Sequence, residues 1–111
     1  MQAALQAIHE PRRREILHLV SRRELPAGEI HRAFGDVTFG AISQHLRVLA
    51  DAGLVVMRKD GRRRLYRAQL EPLGPLRAWL ETMWSRALDD LTTLAEAEEH
   101  AARSTRKKGP R

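Results

Sequence analysis

The 111-residue sequence contains no cysteine, no long apolar run and few aromatic residues: two tryptophans, two phenylalanines and one tyrosine. Without cysteine the chain cannot form disulfides, thiolate metal sites or a thiol redox switch. No segment approaches the roughly 20 apolar residues that cross a bilayer. The N-terminal residues lack the charged region, apolar block and cleavage site of a signal peptide, so we expect a cytoplasmic protein without membrane association.

Catalytic patterns are equally scarce. The serines at positions 21, 43, 85 and 104 lack an evident base and orienting acid, and no glycine-rich loop could cradle a phosphate. The sequence therefore indicates a protein that is not an enzyme and needs no cofactor. Its length suits one domain with a small core, so we expect some apolar surface to need a partner subunit.

Charge is unevenly distributed along the chain, whose formal net charge is +6. Between residues 38 and 70 the basic residues outnumber the acidic ones, and between residues 71 and 100 the balance is reversed. The first of these segments suits a polyanion and the second would repel one.

Hydrophobic periodicity, prolines and glycines predict helices over residues 2–9, 11–22, 26–34, 38–52 and 75–102, and a β-hairpin over residues 54–69. Thr38 fits an N-cap and Gly53 a left-handed helix end, while the pair Asp60-Gly61 is typical of a hairpin turn. The predicted fold is mainly α with a two-stranded hairpin, in the order α-α-α-α-β-β-α of a winged helix-turn-helix. We expect one domain over residues 1–102 and a disordered basic tail over residues 103–111.

The helix over residues 38–52 has two chemically different faces. Ile42, Leu46 and Leu49 form the apolar stripe, and the opposite side or its edge carries Gly40, Ser43, Gln44 and Arg47. Such side chains suit the major groove, because Gln pairs with adenine and Arg with guanine or a phosphate. Thr38 and the free N–H groups beside it suit a phosphate. The alternative is an ordinary solvated polar face.

The hairpin places Arg62, Arg63 and Arg64 at or beside its turn. Like charges this close repel one another unless an anion compensates them, so we expect the tip to bind DNA phosphates or a narrow minor groove. The alternative is a charged edge that protects the strand from aggregation.

The segments "AISQHLRVLADAGLV" and "GRRRLY", with the earlier "PRRREIL" and "LPAGEIHRAF", resemble the ArsR/SmtB family of bacterial winged-helix repressors. The resemblance implies a homodimeric transcriptional repressor that binds double-stranded DNA. Family positions for DNA binding match Thr38, Ser43, Gln44, His45, Arg47 and Arg62 to Arg64. For His45, a structural hydrogen bond is the favoured interpretation and a phosphate contact the alternative.

By the same resemblance, metal sensors of the family use thiols before the turn, or an Asp-x-His pair and a later His with a nearby acid on the last helix, and this sequence matches neither. "ELPAGEI" has no thiol, and the last helix offers Glu96 and His100 four residues apart. Two ligands are too few for a metal site unless a dimer supplies more, so we expect no metal. The stretch "WLETMWSRALDDL" is similar to the non-metal-sensing, autorepressor-like members. A metal-responsive repressor stays the alternative, and the sequence identifies no small-molecule inducer.

The last helix has an apolar face too long for one small domain to cover. Candidate dimer contacts are Leu5, Ile8, Trp79, Leu80, Met83, Trp84, Leu88 and Leu91. A two-fold dimer predicts an inverted-repeat operator with half-sites about one helical turn apart. Alternatively the helix folds back on its own core. A protein-interaction module and an RNA-binding hairpin remain competing functions.

Overall fold

The structure is a computed structural model that describes residues 1–107, with side chains described through Arg103. It divides into two compact units: an N-terminal unit, Met1–Pro75, and a C-terminal unit that begins at Leu76. The described helices are α1 (Gln2–His9), α2 (Pro11–Arg22), α3 (Ala27–Arg32), α4 (Phe39–Asp51), α5 (Gly74–Lys107) and a short 3₁₀ turn (Glu71–Leu73). The strands are β1 (Leu25–Pro26), β2 (Val55–Asp60) and β3 (Arg63–Ala68).

This order confirms the predicted winged helix-turn-helix, with one addition. The strand β1 pairs with β3, so the hairpin belongs to a three-stranded antiparallel sheet in the order β1-β3-β2. Because Leu25 and Pro26 form β1, α3 begins at Ala27. It ends at Arg32, so it lies inside the range predicted for it.

The junction between α1 and α2 is closed by side chains of α2. The Glu10 carboxylate accepts the backbone N–H of Arg13 at 2.9 Å and so caps α2. In return, Arg13 Nε donates to the Ala7 carbonyl at 2.6 Å, and Arg14 Nη1 to the Ile8 carbonyl at 2.7 Å. The end carbonyls of α1 thus find donors that the helix itself cannot supply.

Both predicted ends of α4 are confirmed. Thr38 Oγ1 accepts the Ala41 N–H at 3.1 Å, which satisfies a backbone donor at the start of the helix. After the helix, Gly53 adopts a φ of 76°, and a Cβ built there would lie 3.3 Å from Pro72 Cγ. Glycine is therefore favoured at position 53 by its left-handed conformation, and a Cβ there would also be tight against Pro72.

The hairpin turn lies one residue later than the Asp-Gly pair suggested. Asp60 pairs with Arg63 across the ladder, so the two-residue loop is Gly61–Arg62. Only the first of these has a positive φ, 64° at Gly61, as in a type II′ turn. Arg62 thus occupies the turn itself, and Arg63 and Arg64 begin β3.

The core of the N-terminal unit gathers apolar side chains from every helix of that unit and from all three strands. Its fully buried large members are Ile16, Val20, Ile30, Ile42, Leu46, Leu49 and Leu54. From α1 the core takes Ala4 and Ala7, while Leu5 and Ile8 are half-buried. The predicted apolar stripe of α4 is therefore its core face.

The C-terminal unit consists of α5, on which the large apolar residues from Trp79 to Leu94 are exposed. The helix continues to Lys107, so residues 103–107 are helical where we expected the tail to begin. The last four residues of the expected tail lie outside the described part. Within residues 1–107, no helix is both long and apolar enough to cross a bilayer.

Candidate nucleic-acid interface

The outward face of α4 carries the polar residues that the sequence assigned to it. Ser43, Gln44 and Arg47 are exposed, and Ile42, Leu46 and Leu49 are buried on the other side. An exposed amide, hydroxyl and guanidinium on one helix face match the hydrogen-bonding groups at base edges in the major groove.

Gly40, also exposed on α4, is not required by the fold. A Cβ built at this position would come no closer to another atom than 4.0 Å, from Thr38 Oγ1, and its φ is not positive. Glycine weakens a helix relative to alanine by up to about 1 kcal/mol. Packing among the described residues therefore does not require glycine at position 40.

Side chains of α4 and of the sheet line one groove. The residues around it are Ser43, Leu46, Arg47, Ala50, Met57, Arg64 and Tyr66. Two cations, Arg47 from the helix and Arg64 from β3, thus border the same concave surface. The helix face and the wing, which is the hairpin formed by β2 and β3, can therefore contact one ligand together.

A second groove lies between the start of α3, the start of α4 and the hairpin tip. It is bordered by Pro26, Ala27, Gly28, Glu29, Arg32, Phe39 and the three arginines 62 to 64. All three tip arginines are exposed, and the ion pair of Arg63 found in the described part of the chain is a long one, 3.7 Å from Asp60. The tip therefore keeps positive charge available to an anion.

The wing cation Arg58 is in a different position. Its Nη2 lies 2.6 Å from Glu24 Oε1, and its Nε donates to both Glu24 oxygens at 2.9 Å. These hydrogen bonds and the charge of Arg58 hold the pKa of Glu24 below its ordinary value, and Glu24 raises the pKa of Arg58. The pair fixes β2 to the segment before β1 and neutralises Arg58.

The histidines differ in their surroundings. His45 is half-buried, and its Nδ1 is buried without a hydrogen-bond partner in the described part of the chain, so the structural bond favoured from the sequence is not seen there. His31 does make one: its Nε2 lies 2.9 Å from the Val37 carbonyl oxygen. His9 and His18 are exposed.

Two features of the site were missed from the sequence. Glu24 is 34 residues from Arg58, so only the sheet register reveals their pairing. Phe39, the first residue of α4, is half-exposed beside the tip arginines. An aromatic residue immediately after a predicted N-cap, outside the apolar stripe, was the available signal for it.

A metal centre is not evident among residues 1–107, which hold no group of three or more His, Asp and Glu side chains placed to bind an ion. Glu96 and His100 are on α5, as expected.

Fold and surface together define a winged helix-turn-helix DNA-binding regulator. Residues 10–56 match the family described as "Bacterial regulatory protein, arsR family". The chain is 40% identical over 97 residues to the HTH-type transcriptional regulator Rv2034 of Mycobacterium tuberculosis, covering 86% of this chain and 88% of the relative. The chain belongs to the arsR family of transcriptional regulators, and it is therefore not an enzyme.

Two solved structures show the same fold. A possible transcriptional regulator for arsenical resistance is 41% identical with a TM-score of 0.64, covering 81% of this chain and 93% of that one. The homodimeric winged helix-turn-helix DNA-binding domain of Mb0332 from Mycobacterium bovis is 28% identical with a TM-score of 0.61, covering 76% and 77%.

Proposed function

We propose that the protein is a homodimeric repressor that binds an inverted-repeat operator, with α4 in the major groove and the wing on the DNA backbone or minor groove. The observation that carries the proposal is the groove bordered by Ser43, Arg47 and Arg64, where base-reading and phosphate-binding groups share one surface.

Roles within the site follow from chemistry and exposure. Ser43, Gln44 and Arg47 are exposed hydrogen-bonding groups, and they contact base edges. Arg62, Arg63 and Arg64 contact phosphates or enter the minor groove. At the helix start, Thr38 and Gly40 allow close approach of a phosphate. His45 contributes a further contact with the DNA backbone.

Dimerisation uses the exposed apolar face of α5. Trp79, Leu80, Met83, Trp84, Leu88 and Leu91 are all exposed, and a face of this kind is normally covered. The homodimeric state of the Mb0332 domain supports the same assembly here. From α1, Leu5 and Ile8 add smaller contributions, because both are half-buried and Ile8 already packs against the core.

Regulation by a metal is not part of the proposal. The chain has no cysteine, and we place it with the non-metal-sensing members of its family. Operator affinity measured with and without added Zn²⁺ or Ni²⁺ should be the same, and a large metal-dependent loss of affinity would favour the metal-responsive alternative.

The test begins with selection of binding sites from random DNA duplexes, followed by gel-shift titrations at several salt concentrations. We expect an inverted repeat with half-sites about 34 Å apart and a sequence preference that persists as salt rises. Binding that collapses uniformly with salt and shows no preference would leave only general attraction to polyanions.

Two variants separate the two kinds of contact. Gln44→Ala should weaken binding to the selected site more than to random duplex, by about 1–3 kcal/mol at the base pair it reads. Arg63→Ala should weaken binding to both and lower the salt slope by about one phosphate.

A matched control is the double variant Glu24→Gln/Arg58→Gln, which removes one charge of each sign, from β2 and from the residue before β1. Because Arg58 is already neutralised by Glu24, the salt slope should not change. An unchanged slope in Arg63→Ala, or a reduced slope in the double variant, would refute the assignment of phosphate contacts.

A further inference from the structure

The proposed function leaves one feature of α4 unexplained, the aromatic ring of Phe39. This residue is the first of the helix, between the capping Thr38 and the exposed Gly40. Half of its surface, 50%, is exposed, whereas the apolar stripe of the same helix, Ile42, Leu46 and Leu49, is buried almost completely. The exposed part of the ring borders the same groove as the arginines of the hairpin tip, where it is available for an apolar contact from outside.

The ring is held in place from one side. The rings of Phe39 and His31 meet edge to face, with centroids 5.6 Å apart and planes at 89°. His31 is itself fixed by the hydrogen bond of its Nε2 to the Val37 carbonyl oxygen, 2.9 Å away. Since that carbonyl only accepts, the ring nitrogen is the donor. The contact with His31 therefore favours one orientation of the Phe39 ring and leaves the rest of the ring exposed.

The surroundings of Phe39 indicate what covers it. It borders the groove of the tip arginines, and it belongs to the same helix as Ser43 and Gln44, one to one and a half turns away. A duplex that contacts those residues passes beside the ring. The apolar group that base edges present in the major groove is the 5-methyl group of thymine, which phenylalanine contacts in other DNA complexes.

We propose that Phe39 is a further specificity-determining residue, whose exposed ring packs against the 5-methyl group of one thymine in each half-site. The inference rests on the proposed function and adds a preference that hydrogen bonds do not supply. Phe39 distinguishes thymine from cytosine at its position by an apolar contact, while Gln44 and Arg47 read their bases by hydrogen bonds.

The test replaces each thymine of the selected operator in turn by deoxyuridine, which keeps every hydrogen-bonding group and removes only the methyl. Affinity of the full-length protein for each duplex is measured by fluorescence anisotropy at one salt concentration. We expect one thymine in each half-site at which the wild-type protein loses about fourfold in affinity, the loss expected for one buried methyl group.

Phe39→Ala should bind the unmodified operator more weakly and should lose nothing further at that deoxyuridine. Phe39→Leu, which keeps an apolar side chain, should retain part of the methyl effect. The control is Leu70→Ala, at a residue with a similar exposed fraction, 52%, that does not border either groove. It should keep both the affinity and the full fourfold effect.

Two results would overturn the inference alone: a wild-type protein indifferent to every deoxyuridine, or a methyl effect of equal size in Phe39→Ala. Both would leave sequence preference at the other base pairs intact. Absence of any sequence preference in the wild-type protein would instead overturn the proposed function, and this inference with it. Because Phe39 is exposed, a thermal unfolding curve close to wild type should confirm that the variant is folded.

Discussion

The N-terminal unit and α5 use the same apolar residue types in opposite ways. In the N-terminal unit Leu46 is 1% exposed and packs in a core shared by helices and strands, whereas on α5 Trp84 is 70% exposed. The first unit covers its own apolar side chains. The second presents a continuous exposed stripe of them, although the helices of both units carry apolar residues at the same helical spacing.

The difference teaches that amphipathic periodicity identifies an apolar face without identifying what covers it. Within residues 1–75 the covering elements are present in the same chain, so those residues should fold as a self-sufficient unit. Under the proposed function a second copy of α5 covers the face of α5, and the contribution of that face to stability should therefore depend on protein concentration.

The largest effect is expected at the core. Leu46→Ala should lower the free energy of unfolding by about 3 kcal/mol, because it leaves a cavity beneath α4. Urea denaturation at several protein concentrations checks this, since a site within one subunit should lose the same amount at each. A loss that grows on dilution would contradict the idea that the N-terminal unit is self-sufficient.

The next effect is expected on α5. Trp84→Ala should weaken dimerisation by about 2 kcal/mol, or about 30-fold, since tryptophan is a frequent anchor of interfaces. Sedimentation equilibrium measures the dimer dissociation constant. The matched control is Asp89→Asn, on the opposite side of the helix, which should leave that constant unchanged. Equal effects of the two substitutions would show that the apolar stripe is not the contact.

Alanine substitutions at two glycines of the N-terminal unit should change its stability in opposite directions. Gly53→Ala should destabilise by about 1–2 kcal/mol, because its φ is 76° and Pro72 Cγ leaves little room for a Cβ. Gly40→Ala should stabilise by up to about 1 kcal/mol and yet weaken operator binding. Thermal unfolding and anisotropy titrations check both, and tight DNA binding by Gly40→Ala would refute a close approach at this position.

The smallest effect is expected from the pair Glu24 and Arg58. Hydrogen bonds from Arg58 lower the pKa of Glu24 in the folded protein below its ordinary value of 4.5. The pair should therefore stabilise the fold above about pH 4.5 and lose that effect as pH falls through the lowered pKa. Urea denaturation of wild type and Glu24→Gln between pH 3 and 7 measures the difference, which should shrink at the acid end. A constant difference would contradict this role.

Local signals predicted most of the fold. The cap at Thr38, the left-handed Gly53 and the apolar stripe of α4 each depend on residues close in sequence, and all three are found. The strand β1 could not be predicted, because two residues carry no periodicity and Leu25 and Pro26 are extended only through pairing with Tyr66 and Leu65.

The candidate site was predicted by residue type but not by arrangement. Charge counting put Arg58 with the other wing cations, since its neutralisation by Glu24 depends on how the sheet brings residues 24 and 58 together. The shift of the hairpin loop to Gly61–Arg62 likewise follows from the strand register.

The short strand β1 has a geometric consequence. It pairs β3 with the chain between α2 and α3, and together with the Arg58–Glu24 hydrogen bonds it adds contacts that restrain the wing relative to the helices. If α4 and the wing bind DNA as proposed, the protein itself sets the distance between the bases and the phosphates that they contact. Under the proposed function, one inserted base pair would move these DNA groups about 3.4 Å apart, and the protein would then select its sites by the spacing of the contacted groups as well as by their sequence.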